Sequence, residues 1–282
     1  MDPKEPSTSE PTPVSPIVDS LLHPLALPIR QLLTRPGRLE LRQILIDDEE
    51  NILQALEAGV TLRSVYYAGE ELVSEALKQK LPPKVSIHEV ARRTCKKLFE
   101  NDKISRVFAI ADMPAPLTLE ALTAIPQDIV VLEDLGISGN IGAIIRTSLA
   151  LGTGGIVLLN TDPVDIYDRR LIRASRGYVF RLPVVTATTQ ELVQFCKKGN
   201  LEILVTAAQA VKLVGEIASL PQRLFIVFGA EKEGVSRELT EAATLQVRIP
   251  TDPRVESLNV SAAAGIVLYS RAAFNQREKT AA

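Results

Sequence analysis

The sequence has few of the residues that acid–base and metal chemistry most often use. His23 and His88 are the only histidines in 282 residues. Neither has a nucleophile motif beside it, so a Ser-His-Asp or Cys-His site has no support. A centre held by several histidines is excluded, and no metal is expected. The two cysteines, Cys95 and Cys196, cannot supply a disulfide framework or a zinc cluster. No apolar run is long enough to span a bilayer, and the N-terminus lacks a basic-then-apolar signal pattern. A cytoplasmic protein without membrane contact is therefore expected. The net charge of −2 excludes a chain that is basic all over, so any nucleic acid must bind at a local patch.

What is present is an alternating α/β pattern long enough for two domains. Residues 1–16, with five prolines among Ser, Thr and Glu, cannot build a core and are expected to be a disordered tail. Residues 17–33 read as helical pieces interrupted by Pro24 and Pro28. Strands over 41–46, 62–67, 84–88 and 107–111 alternate with helices over 49–58, 72–81 and 90–99, which predicts a compact α/β domain over 17–113. A proline-bearing linker follows at 114–122, and a second α/β domain occupies 123–278. Its strand at 128–132 is nearly all apolar, as expected for a sheet covered by helices on both faces.

The last third repeats one pattern, in which a short apolar strand runs into small and polar residues. Gly229 and Gly234 follow the strand ending at Phe228 and allow positive φ or a close approach to a ligand. Ser257 and Asn259 offer compact hydrogen-bonding groups just before a helix starting near Val260. Together these ends predict a cleft for a small polar cofactor. Upstream, Asn140 is placed as the N-cap of a helix that carries Arg146. Gly136 and Gly139 do not make a dinucleotide fingerprint, because the spacing is wrong and a third glycine is missing.

Basic residues concentrate in three places. Arg169, Arg170, Arg173 and Arg176 share a short helical stretch with no carboxylate after Asp168, a pattern suited to phosphate contact. Arg35, Arg38 and Arg42 form a second group. Arg92, Arg93, Lys96 and Lys97 form a third beside Phe99, whose ring is suited to stacking on an unpaired base. Core packing of Phe99 at helical spacing with Cys95 is the alternative.

Three segments in order, Asn140-x-Gly142-x-x-x-Arg146, Gly229-x-Glu231-x-x-Gly234 and Ser257-Leu-Asn259, resemble the SPOUT class of RNA methyltransferases in its SpoU/TrmH, 2′-O-ribose branch. The stretches 139–152, 168–180 and 256–261 are similar, more narrowly, to the thiostrepton- and nosiheptide-resistance 23S rRNA methyltransferases. The resemblance is strong over the second half and looser over the first. Ala230, Glu233 and Val235 depart from the resistance enzymes, and so does the proline-rich tail.

The resemblance implies a trefoil-knotted methyltransferase domain, an exception to the rule against knots, preceded by an L30e/L7Ae-like RNA-binding domain. It implies S-adenosylmethionine as cofactor, a homodimer, and a 23S rRNA substrate. A tRNA or another rRNA is the alternative substrate, and a non-catalytic RNA-binding or ribosome-assembly protein is the alternative of another class. Carried over residue by residue, Arg146, Asn140, Glu231, Ser257 and Asn259 are the catalytic set. Thr206, Gly229, Gly234, Ile249, Leu258 and Arg176 line the cofactor site. Arg38, Arg92, Arg93, Phe99, Arg170 and Arg173 face RNA. Helix capping remains the alternative for Asn140, Ser257 and Asn259, and a solvated loop carboxylate for Glu231.

Overall fold

The computed structural model describes residues 17–69, 72–100, 102–136, 138–230 and 233–281, the side chains of 164 and 273–281 excepted. The expected tail at 1–16 lies outside the described residues.

The first half opens with α1 (Ala26–Leu32), which carries Pro28 in its first turn, where a missing N–H costs no helical bond. A second short helix, α2 (Arg35–Leu41), was not expected from the sequence. Thr34 caps it by accepting from the Gly37 amide at 3.2 Å. The chain continues as β1 (Gln43–Asp47), α3 (Glu49–Glu57), β2 (Leu62–Ala68), α4 (Glu75–Lys80), β3 (Ser86–Val90), α5 (Arg92–Leu98) and β4 (Val107–Asp112). The strands form one sheet in the order β1-β4-β2-β3, antiparallel except for the β2–β3 pair. Under it, Phe108 stacks on Tyr66 and meets Phe99 edge-on, with ring centroids 5.1 Å apart in both pairs.

The second half comprises β5 (Ile129–Glu133), α6 (Ser138–Ala150), β6 (Gly155–Leu159), α7 (Arg169–Ala174), β7 (Val184–Ala187), α8 (Thr189–Gly199), β8 (Glu202–Thr206), β9 (Lys212–Leu213), β10 (Leu224–Phe228), α9 (Arg237–Ala242), β11 (Leu245–Arg248) and α10 (Val260–Ala281). The seven strands pair in parallel in the order β7-β6-β5-β10-β8-β11-β9. Every residue of β5, β6 and β10 is buried, which accounts for their uninterrupted apolar runs. A capping box between Thr188 and Glu191 starts α8. Among the described residues no helix is long and apolar enough to cross a membrane, and no group of three His, Cys, Asp or Glu could hold a metal ion.

Each sheet has one apolar cluster of its own, and a third is shared between them. The shared cluster runs from Ile44, Ile46 and Ile52 of the first half to Ile166, Leu171 and Ile172 around α7. Leu171 and Ile172 are 4% and 0% exposed, and burying such side chains is worth roughly 1.5–3 kcal/mol each.

Candidate active site

The strand order locates the site. From β5 the chain moves outward through β6 to β7, then crosses by way of α8 to β8 on the other side. The slot left between β5 and β8 is filled by β10. Ligands of parallel α/β sheets bind beyond the carboxyl ends of strands at such a reversal. The residues there are Glu133 to Gly136 after β5, Thr206 closing β8, and Gly229 to Gly234 after β10.

The glycine loop is drawn in tightly. A Cβ added at Gly229 would lie 2.0 Å from the Gly234 carbonyl oxygen, and Gly234 has φ +70°. The Gly234 amide donates to the Ala230 carbonyl at 2.9 Å. Gly234 takes the positive φ that the sequence allowed for, whereas the close approach at Gly229 is to the loop's own backbone. Glu231 lies outside the described residues. The base of the loop is fixed by a residue that motif reading missed. Glu133 is 2% exposed, and its carboxylate accepts from the Ser236 amide at 2.8 Å and from the Thr189 hydroxyl at 3.4 Å. The only sequence signal for it is an acidic residue ending an apolar strand. Thr206 donates to the Val227 carbonyl at 3.1 Å, which ties the end of β8 to β10. Ile249 follows β11 and packs half-buried on the core, while Leu258 is half-buried just before α10.

The two outer motifs meet. The Asn259 side-chain amide donates to the Asn140 side-chain oxygen, Oδ1, at 3.2 Å. The Asn259 oxygen accepts from the Ser261 amide at 2.9 Å and the Ser261 hydroxyl at 2.6 Å. Asn259 therefore caps α10 and cross-links it to α6. Asn140 is not the N-cap that the sequence predicts, because α6 begins two residues earlier at Ser138 and Asn140 lies within its first turn. Ser257 is exposed in the stretch before α10. Arg146 is exposed on α6 and has no ion pair among the described residues.

Gly142 explains how α6 is seated. A Cβ there would come within 2.4 Å of the Ala174 Cβ and 2.7 Å of the Ser175 amide nitrogen. The motif glycine is thus required by the close approach of α7.

The basic groups divide sharply by burial. Arg92 and Arg93 are exposed on α5, and the Arg170 side chain is 67% exposed with Nε 3.8 Å from Asp102. Arg173 departs from the expectation of phosphate contact. Its two Nη groups bind Asp47 at 2.5 Å and Asp102 at 2.8 Å. Arg38 is 3% exposed and faces Asp168 at 3.2 Å, so it too is turned away from solvent. Phe99 is 1% exposed with the Arg169 guanidinium 4.4 Å above its ring. It is the core residue of the alternative reading, because a buried ring has no free face for a base. Arg176 has φ +54° and pairs with Glu50 of α3, in the first half, at 3.4 Å.

Burial raises the Asp47 carboxyl above its ordinary value despite Arg169 and Arg173. Burial acts upward on Asp102 as well, but the Lys103 amide, Arg173 and Arg169 outweigh it and hold that carboxyl low. Burial works against the Arg173 guanidinium, and contact with Asp47 and Asp102 overcomes it, leaving its pKa raised.

A parallel α/β sheet with a glycine-closed loop at its reversal point, and two helices linked by asparagines, defines an open α/β fold of the kind that binds ligands beyond its strand ends. The chain belongs to the SpoU rRNA methylase family, whose model matches residues 127–269, and residues 15–125 match the N terminus of the thiostrepton-resistance methylases. It is 41% identical over 248 residues to the 23S rRNA (adenosine(1067)-2′-O)-methyltransferase of Streptomyces laurentii, spanning 86% of this chain and 90% of that protein. A crystal structure of an RNA 2′-O ribose methyltransferase superposes with a TM-score of 0.80 at 31% identity, covering 92% of this chain and 99% of the other. The AdoMet-bound rRNA methyltransferase of Sinorhizobium meliloti gives a TM-score of 0.76 at 26% identity, covering 91% and 97%.

Proposed function

We propose that the protein is an S-adenosylmethionine-dependent methyltransferase that modifies a ribose 2′-hydroxyl of 23S rRNA, at the adenosine whose methylation gives thiostrepton-type resistance. The observation that carries this is the Asn259–Asn140 hydrogen bond, which brings the outer two family motifs together beside the glycine loop. The loop is also suited to the cofactor, since the close packing of Gly229 on Gly234 holds it in one shape beyond the end of β10, where its backbone groups can meet a ligand. Backbone groups around Gly229, Ile249 and Leu258, with Thr206 on the same wall, would hold the adenosine and methionine parts. The cofactor, when bound, supplies an electrophilic methyl group.

Arg146 would hold the target phosphate and stabilise the negative charge that develops on the 2′-oxygen. It does not act as a base, because a guanidinium scarcely deprotonates in proteins. Glu231 would orient Arg146, and Asn140, Ser257 and Asn259 would order the backbone around the reacting groups. Exposed Arg92, Arg93 and Arg170 would contact RNA phosphates. This reading includes a knotted C-terminal domain over 123–278, an L30e-like domain over 17–113, a homodimer and a cytoplasmic location.

Transfer of labelled methyl to unmodified 23S rRNA, 16S rRNA and bulk tRNA, with the product mapped, tests the proposal. Label on a 23S ribose is expected. Label on tRNA alone would keep the chemistry and discard the substrate. Arg146→Lys should lose most turnover at unchanged cofactor affinity, and near-normal turnover in that variant would remove Arg146 from the mechanism.

A further inference from the structure

The arginines of α7 are committed to the N-terminal domain. Arg169 binds Asp47 through Nε and Nη2, both at 2.8 Å, and donates from Nη2 to the Lys103 carbonyl at 3.1 Å. Its Nη1 reaches Asp102 at 3.3 Å, and Arg173 binds the same two carboxylates. Asp47 ends β1 and is 1% exposed, so water competes little for these pairs. Around this centre three further pairs also cross between the halves. Arg38 meets Asp168 at 3.2 Å, Arg181 meets Glu57 at 2.6 Å, and Arg35 meets Asp162.

Domains joined by a small polar contact ordinarily move relative to one another. Here a buried charge cluster lies on a continuous apolar core, and the geometry it demands is specific. The two guanidinium groups converge on one oxygen of Asp47 and share the two oxygens of Asp102 between them, an arrangement that few orientations allow. The opposite face of α7 lies against Gly142 of α6 with no room for a methyl group. A stiff path therefore runs from β1 through α7 to the helix that carries Asn140 and Arg146.

We propose that Asp47 and Asp102 are positioning residues that lock the N-terminal domain in one orientation. Exposed cations on α5 and the α6–α10 site then stand at a fixed separation, and this ruler selects which ribose of a folded RNA is methylated. The inference rests on the RNA methyltransferase reading above. It assigns the arginines of α7 a task different from phosphate binding, leaving Arg170 as the exposed one beside the cluster.

The test uses the full chain with spin labels on Gln79→Cys of α4 and Lys197→Cys of α8, both exposed, while Cys95 and Cys196 are buried. In this background Asp47→Asn and Asp102→Asn are compared with the parent by pulsed dipolar distance measurement, S-adenosylmethionine titration and product mapping. Mixed with excess unlabelled protein, so that a dimer carries at most one labelled protomer, the parent should give one narrow distance, and each variant a broadened one. Cofactor affinity should stay within about twofold, whereas methyl transfer should fall by about tenfold or more, with label spreading to neighbouring riboses. Should Asp47→Asn fail to fold, Asp102→Asn remains, because its carboxylate is 24% exposed and Asp47 still pairs with both arginines. A distance that stays narrow in the variants overturns the lock. A broadened distance with unchanged rate and product position overturns the ruler. If the parent labels no RNA, the RNA methyltransferase reading fails, and the distance measurement decides the lock by itself.

Discussion

Replacing Gly142 by alanine adds one methyl group where two helices touch. Carbon atoms in comfortable contact stand about 3.5–4.0 Å apart, but the new Cβ would lie 2.4 Å from the Ala174 Cβ and 2.5 Å from its carbonyl carbon. Relief requires α6 and α7 to separate by about 1 Å or more, because the Ala174 side chain has no rotamer with which to move aside. Alanine is the better helix former by about 0.8–1 kcal/mol, whereas overpacking costs roughly 1–3 kcal/mol. The net destabilisation should be about 0–2 kcal/mol, or a fall of up to several degrees in Tm. The effect on rate should be larger than the effect on stability. α6 carries Asn140 and Arg146, and a displacement of about 1 Å at reacting groups can cost about a hundredfold. Single-turnover methyl transfer measured well below Tm, alongside calorimetric titration with S-adenosylmethionine, separates the two effects. Full activity and an unchanged Tm in Gly142→Ala would refute the argument that α7 sets the position of α6.

Arg271 engages all five of its N–H groups. It binds both oxygens of Asp128, at 2.7 and 3.0 Å, and the carbonyls of Ile217, Leu220 and Gln222. Arg271→Ala would leave Asp128 buried without its partner and should cost about 3–5 kcal/mol in denaturant unfolding. Lysine should not rescue it, because one ammonium cannot replace a planar fork. Burial pushes the Cys95 thiol up to about 11 and Cys196 to about 12. Iodoacetamide at about pH 8 should therefore leave both unmodified in the folded protein and label both in denaturant, as read by mass spectrometry. The carboxyl of Asp102 is held below its ordinary 3.8, so its contribution to stability is complete above that value and lost as pH falls beneath it. Asp47, raised by burial, works in the opposite sense. The stability difference between the parent and Asp102→Asn should shrink on acidification below about pH 4, and a constant difference would contradict the ion-pair geometry.

The strands of the central sheet could be read in advance because burial on both faces leaves almost no polar residue in Val130 to Leu132 or Leu224 to Phe228. The motif residues were legible because they sit where strands end and helices begin. α2 was hidden by the Pro36-Gly37 pair, which reads as a turn although proline is well suited to a helix's first turn. α9, with six residues, gives too little periodicity to detect. The arginines of α7 were misread for a different reason. Local sequence shows no carboxylate after Asp168, yet Asp47 and Asp102 arrive from 126 and 71 residues away from Arg173. Only tertiary structure reveals charge partners at that range, and Phe99 is withdrawn from solvent by its packing on Phe108 and by Arg169 over its ring.

The late insertion of β10 between β5 and β8 also has consequences while the chain is being made. β5 leaves the ribosome with one edge open, and its partner on that side follows roughly a hundred residues later, about 5–20 s at a usual rate of synthesis. Throughout that interval a fully apolar strand exposes unpaired amides and carbonyls, which favours association with other chains. Closing the sheet then requires a pairing between segments far apart in sequence, the slow kind of step in folding. Yield during expression should therefore depend on temperature and on chaperone supply more steeply than the finished protein's stability would indicate.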